Sequence, residues 1–94
     1  MPKLTVQVRT RDDLLQLLAT GESAAWVIAE ERRQQITHVQ VVNFGETQMV
    51  EGIFDRNASL PSEDGRLVLR FLDARIVNCR VEFDGQNPVR YVER

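Results

Sequence analysis

The alternation of apolar and polar residues in the second half of the chain is the feature that most limits its fold. Every second residue of the run 77–83 is apolar: Val77, Cys79, Val81 and Phe83. This period of two is typical of a β-strand with one face on a core and the other in solvent. The turn signal Asp84-Gly85 follows at once, and a last run closes the chain. From Ile36 to Val92 the pattern predicts an antiparallel meander.

The length and composition predict one globular domain that spans residues 1–94. Ninety-four residues suffice for one hydrophobic core, and the fractions of hydrophobic (43%) and charged (28%) residues are ordinary for a folded protein. No apolar run approaches the roughly 18 residues of a membrane span. The chain has one cysteine and shows no export signal, so we expect a reduced, cytoplasmic protein that makes no contact with a membrane.

The net charge of −2 conceals an asymmetry along the chain. Residues 1–65 carry six basic and ten acidic side chains, whereas residues 66–94 carry six arginines and four acids. The corresponding net charges of −4 and +2 are too small to require a polyanionic partner. Eleven of the twelve basic residues are arginine, which favours planar and bidentate contacts but is equally explained by codon usage.

The first twenty-one residues predict a strand followed by a helix. Residues 3–9 alternate strictly between polar and apolar, as a half-buried strand does. Thr10 offers a hydroxyl to cap a helix, and Asp13 stands at a variant of the capping-box spacing. An apolar stripe of leucines over 14–18 then predicts a helix of about ten residues, which Gly21 ends.

Residues 22–35 admit two interpretations. Intrinsic propensity favours a second helix that Glu22-Ser23 would cap. The apolar residues nevertheless form one block, Ala25 to Ala29, rather than recurring at spacings of three and four. This grouping favours a short buried strand, with a single helical turn over 30–35.

The remaining chain predicts most of the sheet. Ile36–Phe44 is apolar on both faces, as a central strand is, and Gln48–Phe54 returns as its antiparallel partner. Gly52 indicates a bulge or a close backbone approach. Residues 66–71 alternate as a further strand, which Asp73-Ala74 ends. The fold class is therefore α+β and mostly β: an N-terminal strand and helix, then a curled antiparallel sheet of five or six strands that forms a half-barrel.

Residues that could perform catalysis are scarce. His38 is the single histidine, so one chain cannot form a two-histidine metal site. It has a structural or surface interpretation, and a less favoured one as a general base beside Glu51 on the neighbouring strand. Cys79 alternates with apolar residues, and this pattern predicts a core thiol rather than a nucleophile. The sequence shows no phosphate-binding loop and no nucleophile elbow, so we expect no enzyme, no catalytic residue, no metal and no cofactor.

The candidate binding residues are aromatic, arginine and amide side chains. They are Trp26, Arg32, Arg33, Asn87, Arg90 and Tyr91. Trp26 is either a core anchor or, beside the arginines, a platform on which a planar ligand stacks. The closing segment is either a turn, an edge strand that begins at Pro88 and a tyrosine on the core, or part of a binding site.

Four short segments resemble landmarks of a family of small uncharacterised bacterial proteins. They are Ala25-Trp26-Val27, Arg32-Arg33, Ala74-Arg75-Ile76 and the closing Gly85-x-Asn87-Pro88-Val89-Arg90-Tyr91. The chain differs from that family in having no cysteine beside the arginine pair and no tryptophan near the closing glycine. The resemblance implies a shared fold and no known activity.

Two functions from different classes follow from these observations. The first is a small non-catalytic binding or interaction module, and the second is a small-barrel nucleic-acid-binding protein with an Arg/Trp groove. A homodimer is also expected, because a single helix cannot cover both faces of Ile36–Phe44 and because a small sheet has two edges to protect.

Overall fold

The protein is mostly β, with six strands and two short helices among the residues that the structure describes. The computed structural model describes residues 4–59, 61, 65–81, 83 and 88–93. The elements in chain order are β1 (Leu4–Thr10), α1 (Leu14–Thr20), β2 (Glu22–Trp26), α2 (Glu30–Arg33), β3 (Ile36–Asn43), β4 (Gln48–Phe54), β5 (Leu67–Asn78) and β6 (Val89–Glu93). The six strands form one curled sheet, a half-barrel, as the sequence predicts.

The sheet is mixed, so the predicted antiparallel sheet is confirmed only in part. The strand order is β2-β5-β4-β3-β1-β6, and β1 runs parallel to β3. A parallel pair needs a long crossover connection. Here α1, β2 and α2 provide it, because all three lie between β1 and β3 in the chain. The meander is correct for β3, β4 and β5, but β6 pairs with β1 and not with β5.

The N-terminal strand and helix form where the sequence predicts them, with a different cap. Thr10 is the last residue of β1, and its hydroxyl accepts a hydrogen bond from the backbone of Asp12 at 3.0 Å. Asp13 is the N-cap of α1, because its carboxylate accepts the Leu15 N–H at 3.1 Å. Gly21 ends the helix with a φ of 70°, and its N–H donates to the Leu17 carbonyl. The helix has seven residues rather than ten.

Residues 22–35 adopt the strand and helical turn that the grouping of apolar residues favours. The strand covers Glu22–Trp26, three residues before the predicted Ala25–Ala29, and α2 is one turn. Edge strand β2 pairs with β5. Val27, predicted to be in a buried strand, is exposed, while Ile28 packs into the core.

Strand β5 continues through Asp73-Ala74, where the sequence predicts that it ends. Glu51 pairs with Arg75 and Ile53 pairs with Leu72, so two residues of β5 lie opposite Gly52 of β4. Two residues opposite one make a β-bulge. Asp73 has a φ of 52°, the left-handed conformation of the first residue in one bulge class. The prediction of a bulge or close approach at Gly52 is therefore confirmed.

The two faces of the sheet are covered differently. Helix α1 lies on one face, where Leu14 and Leu17 join the main core with the apolar residues of the strands. On the other face, Val42 and Met49 form a second cluster with Phe83, and Val77, Cys79 and Val81 pack against it. Residues 79–81 lie outside β5, so the predicted strand over 77–83 is wrong although its inward-facing residues are correct. We call the face opposite α1 the open face.

The C-terminal segment forms edge strand β6, as the position of Pro88 predicts. The Pro88 carbonyl accepts the Arg9 N–H at 2.9 Å, and Tyr91 packs against the main core. The predicted turn Asp84-Gly85 lies outside the described residues. Within the described chain, no helix has the length and apolar character needed to cross a membrane.

Candidate functional site

A row of polar side chains crosses four strands of the open face. Gln7, Gln40, Glu51 and Arg75 lie directly opposite one another in the register of β1, β3, β4 and β5, and we call them the polar row. The Gln7 amide donates to the Gln40 carbonyl oxygen at 2.6 Å, and the Gln40 amide donates to Glu51 at 3.3 Å. Arg75 donates to Glu51 through Nε at 3.2 Å and Nη2 at 3.0 Å. The four side chains thus form one continuous network.

The polar row is buried at its Gln7–Gln40 end and exposed at Arg75. Gln7 is 5% exposed and Gln40 is 3% exposed, and buried amides of this kind are costly unless they are hydrogen-bonded. Within the described residues, the Gln7 side-chain oxygen is buried without a hydrogen-bond partner. The hydrogen bonds between neighbouring side chains restrain their positions along the polar row.

Beside the polar row, a second row leaves a groove open to solvent. Thr5, His38, Ile53 and Leu72 lie opposite one another in register, one step along the strands. Ile53 and Leu72 are 46% and 53% exposed. Both rows contribute to a groove of about 650 Å³, and we call it the open-face groove. Its volume is in the range of small-molecule sites.

The bulge brings a carboxylate to the open-face groove. Core-facing residues of β5 are Leu67, Leu69 and Phe71 before the bulge and Ala74 and Ile76 after it. The extra residue therefore shifts the alternation by one position, and Asp73 and Arg75 both line the open-face groove. Bulges are frequent at places where a strand re-aims a side chain, and a non-glycine residue at positive φ is a strain that functional sites often carry.

Glu51 and His38 both line the open-face groove and have different hydrogen-bond partners. Both oxygens of Glu51 are engaged, one by Arg75 and one by Gln40. His38 lines the same groove, but its Nδ1 lies 2.9 Å from the Thr37 hydroxyl, and no described hydrogen bond joins it to Glu51. The hydrogen bond with Glu51 that the less favoured general-base interpretation of His38 involves is therefore not formed. The described residues contain no cluster of three or more side chains that could ligate a metal.

A second surface stacks arginines on phenylalanines at one end of the open face. Arg11 lies over Phe44 at 4.5 Å, and Arg9 lies over Phe44 at 5.0 Å and over Phe83 at 5.5 Å. Arg90 lies over Phe83 at 5.8 Å. We call these five residues the Arg–Phe stack. Its distances are those of cation–π contacts, in which the guanidinium meets the negative face of the ring.

Charge in the Arg–Phe stack is only partly balanced. Arg9 donates to the carboxylate of Glu46 at 2.7 Å, with both side chains largely shielded from solvent. Arg11 is exposed and forms no ion pair among the described residues. Phe44 is 52% exposed. The stack is a second candidate site, for an anionic ligand.

The binding residues predicted from the sequence are not gathered in one groove. Arg32 and Tyr91 meet: the guanidinium lies 5.5 Å from the ring, and the Tyr91 hydroxyl accepts the Ala29 N–H at 3.2 Å. Trp26 packs against the main core and donates to the Ser23 hydroxyl, which fits its interpretation as a core anchor. Arg90 lies on the face of β6 opposite to Tyr91 and is part of the Arg–Phe stack.

The two remaining candidate binding residues are Arg33 and Asn87. The Arg33 Nε is buried without a hydrogen-bond partner among the described residues. Asn87 lies outside the described residues. The Arg/Trp groove as predicted is thus not assembled by the described residues.

The sequence does not predict the open-face groove, because its residues are far apart in the chain. A local signal existed in β1, where Thr5 and Gln7 are polar residues that the register later places beside His38 and Gln40. The alternation does not predict the burial of Thr5 and Gln7, because it places them on the solvent-exposed face of the strand. In β5 the alternation of apolar residues stops at Phe71 and resumes at Ala74. This shift of one position indicates a bulge at Asp73 as readily as it indicates the end of a strand.

Cys79 is half-buried beside the second cluster, less deeply than a core thiol would be. Desolvation raises the pKa of the Cys79 thiol above its ordinary value, and the carboxylate of Glu46 adds to the effect. A raised pKa lowers the fraction of reactive thiolate. Cys79 therefore has the environment of a structural thiol.

The chain matches no protein-family model, no curated protein and no solved structure. Its function is therefore inferred from the residues and geometry above.

Proposed function

We propose that the protein is a small, non-catalytic binding module whose ligand occupies the open-face groove. The observation that carries the proposal is the polar row, which is pre-ordered by its own hydrogen bonds and borders a groove of about 650 Å³. Concave sites with a few fixed polar groups beside apolar surface are the usual form of ligand sites. Engagement of both Glu51 oxygens supports binding rather than acid–base chemistry.

A fragment titration followed by nuclear magnetic resonance tests the proposal. A library of small polar fragments is added to ¹⁵N-labelled protein, and binding is expected to shift amides in 38–40, 51–53 and 72–75. Ile53→Arg fills the groove and is expected to abolish these shifts. Leu15→Arg is the matched control, since Leu15 is also an exposed apolar residue and lies on α1, outside the groove. Fragments that bind elsewhere, or that bind Ile53→Arg unchanged, would refute the groove as the site.

Two accompanying proposals concern location and assembly. We place the module in the cytoplasm because it has one cysteine and hence no internal disulfide. We also propose a homodimer through the outer edge of β2 or β6, since unpaired edges are templates for strand addition. Coverage of β3 gives no support to a dimer, because Cys79, Val81 and Phe83 already pack in one cluster with Val42 on the open face.

The Arg–Phe stack supports single-stranded nucleic acid binding as a second candidate function. Arginines that stack on aromatic rings present their planes to bases and their N–H groups to phosphates. The stack replaces the Arg/Trp groove as the element that would perform this binding. The net charge of −2 opposes it, because phosphate contacts dominate such affinities.

Fluorescence anisotropy with a labelled oligothymidylate at low salt tests the second candidate. Arg11→Ala and Phe44→Ala are expected to weaken binding at least tenfold, about 1.4 kcal/mol each. Arg66→Ala, a change of the same charge just before β5, is the control and is expected to have little effect. Absence of binding below about 100 μM would eliminate this function, because even non-specific binders commonly reach that affinity.

A further inference from the structure

The open-face groove contains a carboxylate, that of Asp73, and a guanidinium, that of Arg75, which pairs with Glu51 and not with Asp73. Asp73 and Arg75 both line it, but no ion pair joins them, and the Asp73 side chain makes no hydrogen bond with any described residue. Arg75 uses two N–H groups on Glu51, and its guanidinium has five. Both side chains are exposed, so each can meet a ligand.

The backbone holds Asp73 in the groove at a cost. A φ of 52° is strained for a residue other than glycine, although aspartate tolerates it better than most. The strain persists because the bulge is fixed on both sides by the pairs Glu51–Arg75 and Ile53–Leu72. The carboxylate is thus positioned by the fold rather than left on a mobile loop.

Apolar surface completes the site. Ile53 lines the groove and Leu72 lies directly opposite it, and both are about half exposed. Their exposed area suits an aliphatic group. The groove therefore combines a carboxylate, a guanidinium and an aliphatic surface.

We propose that the open-face groove binds a zwitterionic ligand with an aliphatic body, a short peptide with free termini. Its ammonium group pairs with Asp73, its carboxylate pairs with Arg75, and its aliphatic side chains lie on Ile53 and Leu72. A purely anionic ligand would be repelled by Asp73 and Glu51, and a purely cationic one would leave the remaining N–H groups of Arg75 unused. This inference rests on the proposed function, since it specifies the ligand class of the same groove.

The test compares three forms of one dipeptide by nuclear magnetic resonance titration of the ¹⁵N-labelled protein. Leucyl-leucine carries both charges, N-acetyl-leucyl-leucine lacks the ammonium group, and leucyl-leucinamide lacks the carboxylate. We expect the doubly charged form to bind at least about tenfold more tightly than either blocked form, with amide shifts in 51–53 and 72–75. Equal binding of the three forms, or no binding of any of them, would overturn the proposal.

Two matched variants assign each charge to its partner. Asp73→Asn keeps a residue that tolerates the left-handed backbone and is expected to lose the preference over the acetylated form only. Arg75→Gln is expected to lose the preference over the amide only, and Arg75→Lys, which keeps the charge, should restore much of it. Asp12→Asn, an exposed carboxylate outside the groove, is the control. Retention of both preferences in Asp73→Asn would refute the assignment.

The outcomes separate this inference from the proposed function. If the dipeptides fail while other fragments still shift groove amides and lose binding in Ile53→Arg, the binding module stands and the zwitterionic ligand falls. If neither fragments nor dipeptides bind the groove, both proposals fall.

Discussion

Gly52 lies in β4 opposite the bulge of β5, where the sheet leaves no room for a side chain. A Cβ at this position would lie 2.9 Å from the Leu72 carbonyl oxygen, 3.2 Å from the Phe71 Cβ and 3.3 Å from the Ala74 Cβ. The three atoms belong to the backbone or to its first side-chain carbon, so they cannot rotate away. Gly52→Ala therefore forces β4 and β5 apart at the bulge.

The expected loss of stability follows from two opposing effects. Overpacking in a well-packed interior costs about 1–3 kcal/mol. Replacing glycine restricts the unfolded chain and offsets about 0.4–1 kcal/mol of that loss. We therefore expect Gly52→Ala to lower the free energy of unfolding by about 1–2 kcal/mol. For a domain of this size, each kcal/mol lowers the Tm by about 4–8 °C.

Gly45→Ala is the matched control for this change. Gly45 lies in the exposed turn between β3 and β4, and a Cβ there would meet only the Thr47 hydroxyl, at an ordinary 3.9 Å. The entropic effect then acts alone, so we expect unchanged or slightly raised stability. Urea and thermal unfolding followed by circular dichroism measure both variants. If Gly52→Ala is as stable as Gly45→Ala, the close approach at the bulge is wrong.

Three further predictions concern the bulge, the thiol and assembly. Asp73→Val is expected to be less stable than Asp73→Gly by at least about 1 kcal/mol in urea unfolding, because a β-branched residue cannot adopt a φ of 52° without strain. Equal stabilities would contradict the strained bulge. Cys79 is expected to react with iodoacetamide at pH 8 more slowly in the native than in the urea-unfolded protein, because burial raises its pKa and lowers the thiolate fraction. Labelling of the native protein at the rate of the unfolded protein would contradict the structural role of Cys79. Light scattering at micromolar concentration is expected to give twice 10.8 kDa, and a monomer mass would eliminate the homodimer.

The central strands and α1 could be predicted from the sequence because their signals are local. Alternation predicts β1, the two-faced apolar run predicts β3, and Gly21 ends α1 with the left-handed residue that the pattern indicates. The hairpin of β3 and β4 is local too, since a short turn joins the strands. A glycine inside a strand pattern is also a local signal, so the close backbone approach at Gly52 could be predicted.

The candidate site could be predicted only in fragments. His38 and Glu51 were paired across neighbouring strands, and both line the open-face groove. Gln7 and Asp73 were not connected to them, because these residues meet only through the β1–β3 and β4–β5 registers. The predicted Arg/Trp groove combines Trp26 and the nearby Arg32-Arg33 pair with Arg90 of the closing segment, but Arg90 belongs to the Arg–Phe stack.

Local periodicity in the sequence indicates most of the extended segments and the side of each that faces a core. The tertiary structure decided the parallel pairing of β1 with β3, the position of β6 beside β1, and the continuity of β5 through its bulge. The physical reason is that periodicity depends on neighbouring residues, whereas strand partners are chosen by burial across the whole chain. Phe83 illustrates this: its place in the alternation marked it as buried, but only the fold placed it over Met49 and Val42 on the open face.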